Sequence, residues 1–289
     1  MNVRKAVIPA AGWGTRFLPV TKAVPKAMLP LLDRPLIQHI VEEAVASGIE
    51  HVIIVTYQSR GAIESHFGPS PDLESALEQK GEEGLLDQVR RIPSLADIRY
   101  VSQPGQLGLG HAVLTASQLV GNEPFAVLLP DDVFDAGVPV TRQMLEVYER
   151  YQGCVIALQE VPEEETGRYG IVKPEKKADR VYQILDMVEK PDRHEAPSRL
   201  AILGRYVLTP QVFDALRATS PGKGGEIQLT DALALLLRQE PVYGCEFEGT
   251  YYDAGKPLGW LKTSVALALK DPRIGADFRR YVKEMAADL

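Results

Sequence analysis

Short apolar runs alternate with amphipathic stretches along this chain, and that alternation narrows the possible folds more than any other feature. Val3–Ile8 reads as a buried strand, and His51–Thr56 (HVIIVT) as a second. Between them, Leu36–Ser47 places Leu36, Ile37, Ile40, Val41, Ala44 and Val45 on one helical face, closing a βαβ unit. Pro35 suits the first turn of that helix and Gly48 its C-terminal cap. A helix from about Arg60 to Phe67, a third strand at Ile98–Ser102 and the nearly continuous apolar run Pro124–Leu129 (PFAVLL) extend the pattern. Strands buried on both faces between helices predict an α/β fold with a mostly parallel central sheet.

Residues 70–97 interrupt the alternation. They are charged and read as a solvated helical excursion with breaks at Gly81, Gly84 and Pro93. After a helix at Thr141–Tyr151 and a strand at Cys154–Gln159, Tyr169–Lys173 and Val181–Lys190 read as antiparallel strands around a turn at 176–180. A strand at Arg199–Leu208, a short helix at Gln211–Arg217 and a long helix at Leu258–Leu269 follow. The 289 residues are expected to form one domain, with a first half to about 150, a second half of about 151–257 and C-terminal helices from about 258. The tail 272–289 reads as an outer helix packed on its own subunit or a neighbour.

Composition matters mainly for what it excludes. No run of about 18 or more apolar residues exists and the N-terminus lacks a signal-peptide pattern, so a cytoplasmic protein is expected. A formal net charge of −7 without a basic tail argues against nucleic acid and membranes as partners. Cys154 and Cys245 lie in apolar, strand-like surroundings and read as buried free thiols.

Against that acidic background, one segment reverses sign. The first strand empties into Ala10-Ala11-Gly12-Trp13-Gly14-Thr15-Arg16, where small residues let the backbone turn tightly and bring N–H groups against a ligand. Arg16, Lys22, Lys26 and Arg34 follow against a single acid, Asp33, and Pro19, Pro25, Pro30 and Pro35 stiffen the loop that carries them. A strand, a glycine loop and fixed cations point to a polyphosphate site. Two familiar phosphate loops are excluded: the dinucleotide fingerprint needs a third small residue where Phe17 stands, and no Walker A string occurs.

Gly12-Trp13-Gly14-Thr15-Arg16 followed by Pro25-Lys26-Ala27-Met28-Leu29-Pro30 resembles the two-part signature of the sugar-1-phosphate nucleotidyltransferases. Further motifs appear in order: Gly108-Leu109-Gly110-His111-Ala112, Pro130-Asp131-Asp132, Val188-Glu189-Lys190-Pro191, Glu226-Ile227-Gln228-Leu229-Thr230-Asp231 and Tyr252-Asp253-Ala254-Gly255. Together with the 70–97 insertion they resemble the bacterial UTP–glucose-1-phosphate uridylyltransferase branch more than the thymidylyltransferases. The resemblance implies a Rossmann-like sheet with a smaller antiparallel sugar-binding lobe. It places Ala10, Ala11, Gly12, Gly14 and Thr15 at the nucleotide, Arg16 and Lys26 on phosphates, and Gln103 and Gly108 at the base. Mg²⁺ would be held by Asp131 and Asp253. Asp132 is assigned to the nucleotide, with a cap of the next helix as the alternative. Gly170 and Glu189 are assigned to the sugar and Lys190 to its phosphate. Glu226 either reaches the sugar or fixes its own loop, and His111 reads as a helix-start residue. One departure from the family pattern is Ala27, where the uridylyl branch usually carries Glu beside the lysine.

The expected chemistry follows from the charges. A sugar phosphate is largely dianionic near neutral pH, its second pKa being about 6, so it needs no general base to attack. The difficulty is bringing two polyanions together, which positioned cations and a metal relieve. Expected partners are UTP, glucose 1-phosphate, UDP-glucose and pyrophosphate, in a homodimer or homotetramer. A sugar-nucleotide sensor that kept the fold without the chemistry is the competing reading, and the retained Arg16, Lys26, Asp131, Lys190 and Asp253 argue against it.

Overall fold

The computed structural model describes residues 2–57 and 61–287. β1 (Lys5–Pro9), β2 (His51–Thr56), β3 (Asp97–Ser102) and β4 (Phe125–Leu128) run parallel in the spatial order β3-β2-β1-β4. The chain thus moves outward from β1 through β2 to β3 and returns to the other side of β1. The crevice at the carboxyl ends of β1 and β4 is a topological switch point, where open α/β sheets seat ligands.

Seven more strands follow: β5 (Asp132–Asp135), β6 (Cys154–Glu160), β7 (Gly170–Ala178), β8 (Val181–Glu189), β9 (Leu200–Leu208), β10 (Val242–Glu246) and β11 (Thr250–Asp253). Beyond β4 the sheet continues as β9-β6-β10-β8-β7, so nine strands run through both halves of the chain. β9 is antiparallel to both β4 and β6, whereas β10 is parallel to β6 and β8 antiparallel to β10 and β7. β5 and β11 form a separate antiparallel ribbon with Asp132 opposite Asp253.

Successive side chains of each strand point to opposite faces, and the core divides accordingly. Ala6, Ile8, Val52, Ile54, Ala126 and Leu128 join one apolar layer; Val7, Ile53, Val55, Phe125 and Val127 join the other. α1 (Leu36–Ala46) buries Ile37, Ile40, Val41 and Ala44 in the first layer, the face its periodicity predicts. α2 (Gly61–Phe67) follows, and its expected first residue, Arg60, lies outside the described residues. The excursion is a pair of helices, α3 (Pro71–Lys80) and α4 (Glu83–Arg91). Gly81 ends α3, but Gly84 sits inside α4, since one glycine in a first turn costs only about 1 kcal/mol against Ala. α3 buries no residue and α4 only Leu86, so roughly one side chain's worth of burial, ~1.5–3 kcal/mol, anchors this segment.

α5 (Leu109–Thr115) packs Ala112 and Val113 into the second layer, and α6 (Val140–Tyr151) packs Val140, Met144 and Tyr148 into the first. α7 (Val212–Ala218) and α8 (Leu229–Leu236) complete the second layer. α9 (Pro257–Lys270) and α10 (Gly275–Ala287) pack together at the end of the chain; residues 288–289 of the expected tail helix lie outside the description. No helix among the described residues is long and apolar enough to cross a membrane. Cys154 and Cys245 are buried and free.

Candidate active site

Two loops meet at the switch point: residues 10–34 after β1, and 129–132 after β4. The first is tied down locally. The Ala10 N–H donates to Val55 O at 2.7 Å, and the Thr21 hydroxyl donates to Gly14 O at 2.9 Å. Gly14 lies in the left-handed region (φ 64°), and a Cβ there would stand 2.8 Å from Lys26 Cβ. The two halves of the sequence signature therefore touch, with the glycine giving passage to the lysine stem. Lys26 Nζ donates to Asp131 Oδ2 at 2.5 Å. Ala27 is buried, 4% exposed, and lines a small cavity of about 90 Å³ with Ala10, Gly12, Leu36, Lys26 and Asp131. In this chain Asp131 orients the lysine, with no acid beside it at position 27.

Asp131 and Asp253 are brought together by the ribbon and one further link: the Ala254 N–H donates to Asp131 O at 2.9 Å. A Cβ on Gly255 would lie 2.5 Å from Asp131 Oδ2, 2.8 Å from Asp253 Oδ1 and 3.3 Å from Lys26 Nζ, so the glycine marks the point where all three converge. No cluster of three or more His, Cys, Asp or Glu stands ready for a metal among the described residues. Two partly buried carboxylates facing one point instead suit a hard divalent cation such as Mg²⁺, which takes one or two carboxylates and completes its shell with water and substrate phosphate. The donor set fits.

Asp132 does not cap a helix, the alternative weighed for it beside a place at the nucleotide. It opens β5, is buried, and accepts a hydrogen bond at Oδ1 from the Tyr251 hydroxyl at 2.7 Å. Burial and then repulsion by Asp131 push its carboxyl up to about 7, against that hydrogen bond. Its periodicity was unreadable because the ribbon partner, β11, lies more than a hundred residues later.

The opposite wall is built from side chains. Lys190 follows β8 with φ 46°, a left-handed conformation that lysine rarely adopts and that marks a constrained position. Its N–H donates to Tyr169 O at 3.0 Å, and its Nζ to Glu189 Oε1 at 2.6 Å. Glu189 Oε2 accepts from the Thr230 hydroxyl at 2.7 Å, and Gly170 leaves room beside it. Between the walls lies a cleft of about 330 Å³ lined by Arg16, Asp131, Asp132, Gly170, Glu189, Lys190, Glu226 and Asp253 from the sequence-derived set. Arg168, Tyr251 and Lys256 also line it and were missed. Arg168 Nη2 donates to Asp253 Oδ2 at 3.2 Å, and Lys256 Nζ lies 3.7 Å from the same oxygen. Only their sequence adjacency to Tyr169-Gly170 and Asp253 could have signalled them.

The base-side residues sit deeper. Gln103 is 4% exposed; its Nε2 donates to Gly108 O at 3.2 Å and lies 3.1 Å from His111 Nδ1. Gly108, at φ 94°, precedes α5, and a Cβ there would stand 2.7 Å from Glu226 Cβ and Ile227 O. The Ile227 N–H donates to Leu107 O, and the Gly110 N–H to Ile227 O. Glu226 therefore both lines the cleft and docks its loop on the glycine turn. Gln106, not singled out from sequence, ties this turn to the first loop through Ala11 O at 2.7 Å. Ala11, Gly14 and Thr15 shape the first loop without lining the main cleft.

Known proteins resemble this chain in sequence and fold. Residues 5–268 match the nucleotidyl transferase family. Over 284 residues the chain is 51% identical to a UTP–glucose-1-phosphate uridylyltransferase of Staphylococcus epidermidis, covering 98% of this chain and 99% of the relative. A crystal structure of a UDP-glucose pyrophosphorylase complexed with UDP-glucose aligns at TM-score 0.85 and 43% identity, over 93% of this chain and 100% of that one. A UTP-bound UGPase from Acinetobacter baumannii aligns at TM-score 0.90 and 39% identity, over 98% and 99%. Agreement over nearly the whole length means that this chain belongs to the nucleotidyl transferase family, among its UTP–glucose-1-phosphate uridylyltransferases.

Proposed function

We propose that the protein transfers the uridylyl group of UTP to glucose 1-phosphate, forming UDP-glucose and pyrophosphate. The observation that carries this reading is two opposed charge centres in one cleft: Asp131, backed by Lys26, and Asp253 stand on one wall, and Glu189 with Lys190 on the other. A dianionic sugar-phosphate oxygen attacks the α-phosphorus in line while the bond from that phosphorus to the pyrophosphate oxygen breaks on the far side. Lys190 guides the attacking phosphate. Arg16 and Lys26 take up charge on the departing pyrophosphate, and Arg168 and Lys256 add cations beside Asp253.

Nucleotidyl transferases typically use a divalent metal. We assign Mg²⁺, which on Asp131 and Asp253 would neutralise phosphate charge and polarise the phosphoryl oxygens. In this reading the 10–15 loop, Gln103 and Gly108 hold the nucleotide, Asp132 backs its phosphate end, and Gly170, Glu189 and Glu226 hold the sugar. The chain acts as a single unit, since one sheet runs through both halves. Exposed Leu258, Leu261 and Val265 on α9, with Ile274 just before α10 and Tyr281 and Met285 on it, support a homodimer or homotetramer. Two free buried thiols fit a reducing cytoplasm.

The test is pyrophosphate release with glucose 1-phosphate, Mg²⁺ and UTP, dTTP, ATP, CTP or GTP in parallel. Release with UTP alone is expected. Comparable release with dTTP would replace the uridylyl assignment with a relaxed base pocket, and UDP-glucose binding without any turnover would make the protein a sensor.

A further inference from the structure

Among the described residues the bulkiest fully buried side chain is a cation, Arg205 of β9, 1% exposed. Glu43 of α1 receives its guanidinium as a fork, Nε to Oε1 at 3.1 Å and Nη2 to Oε2 at 2.7 Å. Glu43 Oε1 also accepts from Thr141 N and Oγ1 at the start of α6. The Phe134 ring lies 4.6 Å from the guanidinium carbon. Burial opposes the charge on Glu43, but Arg205 and Thr141 outweigh it and hold that carboxyl below its ordinary value. Desolvation offsets much of what a buried ion pair gains, and apolar replacements are often as stable, so stability alone does not account for it.

The remaining donors of Arg205 face the site. Nη1 donates to Leu129 O at 3.1 Å and Gly204 O at 2.8 Å, and Nη2 to Asp132 O at 2.8 Å. Leu129 and Asp132 bracket Pro130-Asp131, the turn that presents the Asp131 carboxylate. The Ala254 N–H on Asp131 O at 2.9 Å and Lys26 on the Asp131 carboxylate hold the middle of that turn. Across its two ends the backbone supplies only the Asp132 N–H to Leu129 O at 3.4 Å, since Pro130 has no N–H; Arg205 supplies the rest. β9 departs from regular pairing at this place. Its register against β6 slips between Leu203 and Tyr206, a bulge of the kind that re-aims side chains beside active sites. Gly204 completes the fit, because any Cβ there would overlap the Asp132 carboxylate.

We propose that Arg205, held by Glu43, is a positioning residue for the Asp131 turn: it clamps the carbonyls on both sides and so sets the carboxylate that ligates the divalent cation. The inference rests on the reading of Asp131 as a ligand. Outer partners of this kind typically govern metal affinity by roughly 10–100-fold.

The test compares wild type, Arg205→Lys and the paired Glu43→Gln/Arg205→Met variant, which removes both charges while leaving Thr141 an acceptor. Mn²⁺ binding to each protein without nucleotide is followed by paramagnetic resonance, alongside the Mg²⁺ dependence of pyrophosphate release. Expected are Mn²⁺ affinity and Mg²⁺ half-saturation weaker by about 10–100-fold in the paired variant and by a smaller factor in Arg205→Lys, with KM for glucose 1-phosphate unchanged. Arg205→Lys keeps a buried cation and carries the test should the paired variant not fold. A wild type that binds Mn²⁺ beside folded variants that match it within about twofold overturns the inference alone. A wild type that binds none overturns the ligand reading and the inference with it.

Discussion

In the proposed function, the two sides of the cleft hold phosphorylated ligands by different means. The nucleotide side is largely backbone: glycine turns at Gly12, Gly14 and Gly108 stand behind the cleft, with Lys26 threaded past Gly14. The sugar wall is side chain: Glu189, Lys190, Thr230 and Arg168 converge from β8, α8 and the segment before β7, joined by hydrogen bonds across 41 residues for Thr230–Glu189 and 85 for Arg168–Asp253. Backbone recognition demands small residues at fixed spacing, so it leaves strings in the sequence. Side-chain recognition demands only that a strand end in the right place.

The sharpest test of this contrast removes one lysine from each wall. Lys26→Ala and Lys190→Ala should each lower uridylyl transfer by roughly 10²–10³, like the loss of one preorganised donor. The loss should fall in kcat for Lys26, proposed to take up charge on the departing pyrophosphate, and largely in KM for glucose 1-phosphate for Lys190. Initial rates over both substrates decide it, and near-wild-type turnover in both variants sinks the assignment.

A smaller effect is expected at the seam, where Asp132 is buried behind Asp131. A carboxyl whose folded value is raised contributes stability that is intact below its ordinary 3.8 and lost as pH rises through about 7. Asp132→Asn, measured by urea unfolding with a chelator present, should therefore match wild type near pH 4 and exceed it by roughly 1–3 kcal/mol at pH 8. Parallel pH profiles would remove the seam as a distinct region.

The least effect belongs to the rim. Glu165 pairs with Arg168 at 3.0 Å with both side chains well exposed, and such pairs contribute about 0–1 kcal/mol. Glu165→Gln should change kcat/KM by less than about fivefold. A larger loss would show that the sugar wall depends on its rim as much as on its buried Glu189–Thr230 link.

How much of this was legible varies with the physics. The parallel strands β1 to β4 were, because each is a short apolar run between helices, and their layers follow from simple alternation. Asp131 was legible as an acid at the end of such a run. Gly84 was misread as a break because propensity is a weak local term that neighbouring turns override. The alternative of a helix cap at Asp132 failed because its environment is set by Tyr251, 119 residues away in sequence. Arg205 gave no signal at all: in a strand of otherwise apolar residues, a lone arginine looks like an edge position.

By itself, then, the sequence determined the alternating architecture, the polyphosphate loop and the identities of the charged groups, since these depend on periodicity, on small residues at turns and on local charge. Only the tertiary structure decided which of those groups meet. It inserted β9 antiparallel between β4 and β6, folded β5 against β11 so that Asp131 and Asp253 converge at Gly255, and turned Arg205 inward beneath them. Contacts between distant segments arise from packing the whole sheet at once, and no window of sequence contains the partner that fixes them.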